Sequence, residues 1–163
     1  KFLLLFTRDF GMIGATAQGI RLSQSKLRYH VQDSSFSNIS VVRGKDVWRL
    51  TGAHEILHSK NSILHLKILK LLKRLLQGED KNEKLFEIIE ELYRTEVEES
   101  DFNEVECITV LRILNTLGYI RNSNEVEDIL KDDSINHEVI NNFKPKKSII
   151  LNIINSGLKE SQL

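Results

Sequence analysis

The feature that most constrains the fold is a change of hydrophobic period part-way along the chain. Up to residue 53 apolar and polar residues alternate as they do in strands, and glycines and small polar residues divide the alternation into short runs. From about residue 59 onward the apolar residues follow the spacing of amphipathic helices. This change predicts an α+β protein with a β domain over residues 1–56 and an all-α domain over residues 57–163.

Four short strands are expected in the first domain. We predict them over residues 2–7, 12–20, 37–42 and 47–51. The last two flank a turn in which Gly44 is expected to supply a positive φ. The polar segment 21–35 carries little alternation and is predicted to be a loop. Four strands without intervening helices are typical of a small barrel.

The second domain is predicted to be helical throughout. Apolar stripes fall at residues 63–76, 85–92, 108–117, 126–130 and 149–154. Asp101 with Glu104 has the spacing of a capping box, and Asn122 with Glu125 resembles one. Pro145 suits the first turn of the last helix. These signals place helix starts where the apolar stripes begin.

The charges cancel over the whole chain but are unevenly distributed along it. Residues 1–53 hold eight basic and three acidic residues, and residues 54–78 hold five basic residues and one acidic residue. Residues 79–143 hold six basic and eighteen acidic residues, and residues 144–163 hold four basic residues and one acidic residue. A basic half joined to an acidic half suggests a polyanion bound on one side. The alternative is an ordinary solvated surface with uneven charge.

Several function classes have no support in the sequence. Cys107 is the single cysteine and has no C-x-x-C partner, which argues against disulfides and fits a reducing compartment. The apolar runs are short and interrupted by charge, so no membrane span is expected. Motifs for phosphate loops, dinucleotide binding and serine hydrolases are missing. A protein that binds without catalysis or cofactors is therefore expected.

One motif points toward metal chemistry. His54-Glu55-Ile56-Leu57-His58 matches H-E-x-x-H, in which a helix sets two histidines on zinc and the glutamate acts as a base. The strand-like run ending at Gly52 and the polar residues 59–62 argue against a helix there. We therefore predict two linker histidines and no metal. A zinc hydrolase with Glu79 or Glu83 as third ligand is the alternative.

Basic side chains in the first half are the positive signal for function. The candidates for phosphate contacts are Arg8, Arg21, Lys26, Arg28, Arg43, Lys45 and Arg49 in the β domain and Lys67, Lys70 and Arg74 on the first long helix. Small barrels combine such charges with aromatic rings on which bases stack. Tyr29 is the better candidate for stacking, since Trp48 is expected in the core. For the helix, a solvated lysine-rich face is an equally good interpretation.

Two groups of residues resemble segments of one known protein family. The run Leu5-Phe6-Thr7-Arg8-Asp9-Phe10-Gly11, followed by Ala17-x-Gly19-Ile20-Arg21 and Ser25-Lys26-Leu27, is similar to the barrel of that family. Leu111-x-x-Leu114-x-x-Leu117-Gly118-Tyr119 and the ending Ile154-Asn155-x-x-Leu158-x-x-Ser161-x-Leu163 resemble its helical domain. The matching order of these segments carries the resemblance, which is to the RecO DNA-repair proteins.

The resemblance implies an OB-fold barrel whose first strand would precede Lys1. It implies binding of single- and double-stranded DNA and annealing of complementary strands. The implied partners are RecR and the single-stranded-DNA-binding protein, which cooperate in loading the RecA recombinase. The acidic C-terminal tail of the latter would dock on the helical domain. A cytoplasmic, nucleoid-associated protein without cofactor is implied, and the lack of cysteine in residues 120–124 predicts no zinc. The alternative function is an assembly adaptor with the same barrel-plus-helix organisation that does not bind DNA.

Overall fold

The structure is a computed structural model that describes residues 1–20, 25, 27–57 and 61–162. Its strands are β1 Phe2–Thr7, β2 Gly11–Thr16, β3 Phe36–Arg43 and β4 Trp48–Leu57. The helices among these residues are α1 Leu27–His30, α2 Ser62–Leu75, α3 Glu83–Arg94, α4 Phe102–Thr116, α5 Glu127–Leu130, α6 His137–Phe143 and α7 Lys147–Glu160. Short 3₁₀ turns at Glu99–Asp101 and Lys144–Lys146 precede α4 and α7. The expected α+β class is confirmed.

The four strands form one open sheet in the order β1-β2-β4-β3. β1 pairs antiparallel with β2, and β3 pairs antiparallel with β4. The two hairpins are joined by a short parallel ladder, in which Ala15 lies opposite Trp48 and Thr16 opposite Arg49. The predicted OB-fold barrel is not confirmed, because the sheet formed by the described strands is not closed.

An aromatic side chain from α3 contacts both edge strands of the sheet. The ring of Phe86 is 5.8 Å from that of Phe6 on β1 and 5.8 Å from that of Phe36 on β3. Both edges of the sheet therefore reach the same helix. A separate small cluster of buried residues lies in the β domain and consists of Leu3, Ala17, Ile20, Val31 and Leu50.

The strand boundaries differ from those predicted. β2 ends at Thr16 instead of residue 20, and β4 continues to Leu57 instead of residue 51. The helix α1 lies within the segment predicted to be a loop. Gly44 does not adopt the expected positive φ. Glycine is needed there for another reason, since a Cβ would lie 2.5 Å from the carbonyl oxygen of Val47.

The helical part packs around α4. Buried side chains on α4, including Val105, Ile108, Leu111 and Leu114, share one core with α2, α3, α6 and α7. The predicted helices are confirmed within a few residues, except that α6 lies in a region for which no helix was predicted. None of the helices in the described ranges is both long and apolar enough to cross a bilayer.

The predicted helix caps are wrong at two positions. Asp101 makes no side-chain cap bond and accepts a hydrogen bond from Lys144 Nζ at 3.1 Å. Glu104 accepts one from Lys147 Nζ at 2.7 Å. Asn122 accepts from Asn115 Nδ2 at 2.7 Å instead of capping α5. Lys144 and Lys147 bind the carboxylates of Asp101 and Glu104 in place of the predicted capping box, because a charged donor forms the stronger hydrogen bond.

Candidate nucleic-acid interface

The sheet is fixed to the helices through α3 and the segment leading into it, residues 76–82. The turn between β1 and β2 presses against this segment, since a Cβ on Gly11 would lie 2.1 Å from the carbonyl oxygen of Asp80. At the other end of α3 the hydroxyl of Tyr93 donates to the carbonyl oxygen of Ser34 at 2.9 Å. These contacts hold the cations of the sheet in a defined position relative to the acidic helices.

Arg8 contacts α3 instead of projecting freely. Its Nη2 lies 2.5 Å from Glu90 Oε2, and its guanidinium lies 5.1 Å from the centre of the Phe86 ring. Arg94 donates to the same carboxylate at 2.7 Å. Hydrogen bonding from Arg94, with added charge from Arg8, lowers the pKa of Glu90. Arg8 therefore links β1 to α3.

Arg43 and Trp48 form a second contact between the sheet and the helices. They lie opposite each other at the end of the β3–β4 ladder, and the guanidinium of Arg43 is 4.9 Å from the Trp48 ring centre. Phe10 packs on the same indole with ring centres 4.7 Å apart. Glu79 pairs with Arg43 and accepts from Trp48 Nε1 at 2.9 Å. Trp48 is half-buried, so the prediction of a core tryptophan is wrong.

Glu79 is held in its ionised form by these two donors. The hydrogen bond from Arg43, followed by that from the Trp48 indole, lowers the pKa of the carboxyl. On α2, Lys67 is paired in a similar way, with its Nζ 2.6 Å from Glu106 Oε2. Three of the predicted phosphate contacts, Arg8, Arg43 and Lys67, therefore already face a carboxylate. Exposed pairs of this kind are weak, so a phosphate can compete for the cation.

The other described candidates are exposed and make no ion pair within the described ranges. They are Arg28, Lys45, Arg49, Lys70 and Arg74. Arg21 and Lys26 lie outside the described residues. Lys45 and Arg49 belong to the β3–β4 hairpin and flank the Trp48 contact. Arg74 stands five residues before Glu79, so its Cα is at most about 18 Å away along the chain.

The candidates do not form one patch. α1 carries Arg28 and Tyr29 and lies beside the far end of β4, where the Glu55 amide donates to His30 Nδ1 at 3.4 Å. Glu55 is seven residues beyond Trp48, which corresponds to about 23 Å of strand. Tyr29 is 67% exposed, as a stacking residue requires. Arg28 and Tyr29 are therefore separate from the hairpin group.

The H-E-x-x-H motif does not have the conformation that zinc binding needs. His54 to Leu57 lie on β4, whereas the motif needs a helix to set its histidines one turn apart. The zinc-hydrolase alternative assumed such a helix and is therefore wrong. His58 lies outside the described residues. The described ranges contain no group of three His, Cys, Asp or Glu side chains placed to hold a metal.

Sequence reasoning missed Phe10 as a member of a site and considered Glu79 only as a possible third ligand of zinc. Phe10 stands in a predicted turn and Glu79 in a charged interhelical segment, so neither has a periodic signal. The open sheet with exposed cations, joined to an acidic helical unit, defines an α+β protein with a surface suited to a polyanion.

Comparison with known proteins adds a partial relationship. No family model matches the chain. Part of it is similar to the DNA repair protein RecO of Dehalococcoides mccartyi strain CBDB1, with 35% identity over 66 residues, 39% of this chain and 26% of that protein. The RecO protein of strain 195 is 36% identical over 56 residues, 34% of this chain and 22% of its own length. The match thus spans about a quarter of the curated relatives, and it supports a RecO-like relationship.

Proposed function

We propose that this chain is a non-catalytic DNA-binding protein of recombinational repair, of the RecO type. The similarity to RecO proteins over 66 residues carries the proposal. In this role the chain binds single- and double-stranded DNA, anneals complementary strands and helps to load a recombinase. It acts in the cytoplasm on the nucleoid.

The exposed cations support this role physically. Lys45 and Arg49 on the hairpin and Lys70 and Arg74 on α2 are not neutralised by a described carboxylate. Such side chains bind DNA by releasing the counterions condensed on its phosphates. Neutralising phosphates on two strands also lowers their mutual repulsion, which favours annealing.

The proposed protein partners are RecR and the acidic C-terminal tail of the single-stranded-DNA-binding protein. For the tail we favour the exposed side of α2. There Ile63 is 70% exposed and shares a helical stripe with Lys67, Lys70 and Arg74. A cationic stripe with an apolar residue at one end suits a peptide that combines carboxylates with an apolar side chain.

A salt-dependent titration tests DNA binding. We expect labelled single-stranded DNA to bind at low salt and to weaken steeply as salt rises, with a log–log slope of about 0.7 per phosphate contact. The double variants Lys45→Glu/Arg49→Glu and Lys70→Glu/Arg74→Glu should lower both the affinity and the slope. Arg21→Glu/Lys26→Glu tests the predicted cations outside the described residues.

Lys131→Glu is the matched control, because Lys131 is exposed and makes no ion pair with a described residue. It changes net charge by the same sign at the end of α5, away from the hairpin and α2 in the sequence, and should have a smaller effect per charge. Absence of binding by the wild-type chain at low salt would overturn the DNA assignment. Loss of binding that is equal for all reversals would show that net charge, and not this surface, determines affinity.

A further inference from the structure

The contact between the hairpin and residue 79 has the composition of a nucleic-acid subsite. A guanidinium, an indole N–H and two aromatic rings meet at one exposed point, contributed by Arg43, Trp48 and Phe10. The side chain of Arg43 is 55% exposed and that of Glu79 is 41% exposed. Phe10 is 40% exposed. The cluster is therefore open to solvent although its polar groups are paired.

Glu79 has the chemistry of a phosphate at this point. Its two carboxylate oxygens accept from the Arg43 guanidinium and from Trp48 Nε1. The guanidinium fork suits carboxylate and phosphate oxygens equally well. A phosphodiester has two non-bridging oxygens that can take the same two donors. A base attached to that phosphate would lie beside the exposed ring of Phe10, which packs on the half-buried ring of Trp48 and is suited to stacking.

We propose that Arg43, Trp48 and Phe10 form a phosphate-and-base subsite for single-stranded DNA, and that the Glu79 carboxylate occupies its phosphate position until DNA displaces it. This inference rests on the proposed function and deepens it. Displacement needs only a rotation of the exposed Glu79 side chain, since the backbone beside it is held by the contact of Asp80 with Gly11. Glu79 thereby acts as an internal competitor that weakens DNA binding.

The neighbourhood of the subsite fits a DNA strand. Lys45 lies in the hairpin turn and Arg49 follows Trp48, and both are exposed. Lys45 can take a phosphate next to the one bound at Arg43, whereas Arg49 pairs with Val42 and points to the opposite face of the sheet from Trp48. The exposed Val47, also in this turn, adds apolar surface for a sugar or base. The subsite therefore continues toward the turn of the β3–β4 hairpin.

Trp48 is the single tryptophan of the chain, so its fluorescence reports this subsite directly. We would titrate the full chain with a labelled oligothymidylate and follow the anisotropy of the label and the emission of Trp48 in parallel. The expected result is a change in Trp48 emission that saturates at the same DNA concentration as the anisotropy. Anisotropy change without any change in Trp48 emission would overturn the subsite and leave the proposed function standing.

Substitution of Glu79 tests the competition. Glu79→Gln keeps the size and an acceptor for the indole but removes the charge, and we expect about two- to fivefold tighter binding, the range that an exposed ion pair allows. Glu87→Gln is the matched control, since Glu87 is an exposed carboxylate on α3 without a described ion-pair partner. Equal gains from the two variants would contradict the competitor role. No DNA binding by the wild-type chain would remove both this inference and the proposed function.

Two further variants separate the phosphate from the base contact. Arg43→Gln should lower the salt slope by about 0.7, the contribution of one phosphate contact on a single strand. Phe10→Leu retains apolar bulk, so it should leave that slope unchanged while weakening binding by roughly fivefold or more through lost stacking. Circular dichroism of each variant establishes that it is folded. If both folded variants bind DNA with the affinity and the salt dependence of the wild-type chain, the proposal is wrong.

Discussion

Arg112 shows how a charged side chain can serve as a core residue. It lies on α4 with 2% of its surface exposed. Its guanidinium donates five hydrogen bonds to the main-chain carbonyl oxygens of Ile129, Asp132, Asp133 and Ser134. Burial lowers its pKa, while nearby carboxylates such as Asp133 oppose that change. Arg112 thereby orders the segment that follows α5.

Replacing Arg112 by methionine keeps the apolar length but leaves these carbonyl oxygens without a donor. We expect Arg112→Met to lower the free energy of unfolding by about 2–4 kcal/mol, measured by urea denaturation. Arg121→Met is the control, because Arg121 is exposed and should change stability by less than about 0.5 kcal/mol. Equal effects of the two substitutions would show that water satisfies the carbonyl groups.

His65 gives the protein a dependence of stability on pH. It lies on α2 with 2% of its surface exposed and stacks on the Tyr93 ring with ring centres 3.9 Å apart. Its Nε2 lies 3.4 Å from the carbonyl oxygen of Leu92. Burial lowers the pKa of His65, and the contact with Leu92 opposes this only in part. The folded state therefore binds the proton less readily than the unfolded chain does.

Because the pKa of His65 is lower in the folded state than in the unfolded chain, the titration of His65 has no effect on the free energy of unfolding at pH values above its unfolded pKa. The free energy of unfolding should fall as the pH is lowered from about 6.5 toward the pKa of His65 in the folded state. The slope should be at most about 1.4 kcal/mol per pH unit. His65→Gln should reduce this acid sensitivity in urea denaturation at several pH values. His137→Gln, at an exposed position on α6, should leave it unchanged. A wild-type pH profile in His65→Gln would contradict this origin.

At the scale of elements, the junction between the sheet and the helices depends on a close backbone approach. Gly11 has φ +65° and packs directly on the backbone of Asp80. Gly78 stands in the same junction segment with φ +89°, but a Cβ there would meet nothing within 4 Å. These two glycines separate the cost of the backbone conformation from the cost of the contact.

We expect Gly78→Ala to destabilise by about 1–2 kcal/mol, the cost of a left-handed backbone for a residue with a Cβ. Gly11→Ala should cost about 1–3 kcal/mol more, because the added Cβ must displace residue 80. Urea denaturation measures both. The change in Trp48 emission of the native Gly11→Ala protein should report the displaced junction. If the two variants lose the same stability, the segment 76–82 can move away from residue 11 without a loss of free energy of unfolding.

At the scale of the whole molecule, the sheet and the helices should unfold together. Trp48 reports the sheet and its junction, and far-UV circular dichroism reports the helices. Phe86 joins them by contacting both edge strands. In the wild-type chain we expect the two signals to change at the same urea concentration, as in a two-state transition.

Phe86→Ala removes the ring that joins β1 and β3 to α3. We expect a loss of about 2–4 kcal/mol and a Trp48 transition that precedes the loss of helix signal. Leu158→Ala, which removes a partly buried side chain of the helical core, should shift both signals together. Coincident transitions in Phe86→Ala would show that other contacts suffice to couple the two parts.

The sequence by itself determined the α+β class, the strand-containing first third and most helices of the remainder. These depend on hydrophobic period, which local burial of one face imposes on every strand or helix. It also identified the basic residues of the hairpin and of α2. The length of β4 and the short helices α1 and α6 were not predicted. The predicted cap at Asp101 was wrong because a residue distant in the sequence, Lys144, donates to its carboxylate.

Only the tertiary structure decided whether the sheet closes and which cations face carboxylates. Closure depends on whether edge strands meet, and here both edge strands contact Phe86, about forty residues beyond the end of β3 in the sequence. The pairing of Arg43 with Glu79 and of Arg8 with Glu90 likewise joins residues that are distant in the chain. Such contacts are set by how two apolar surfaces pack, and no periodic pattern in either segment records them.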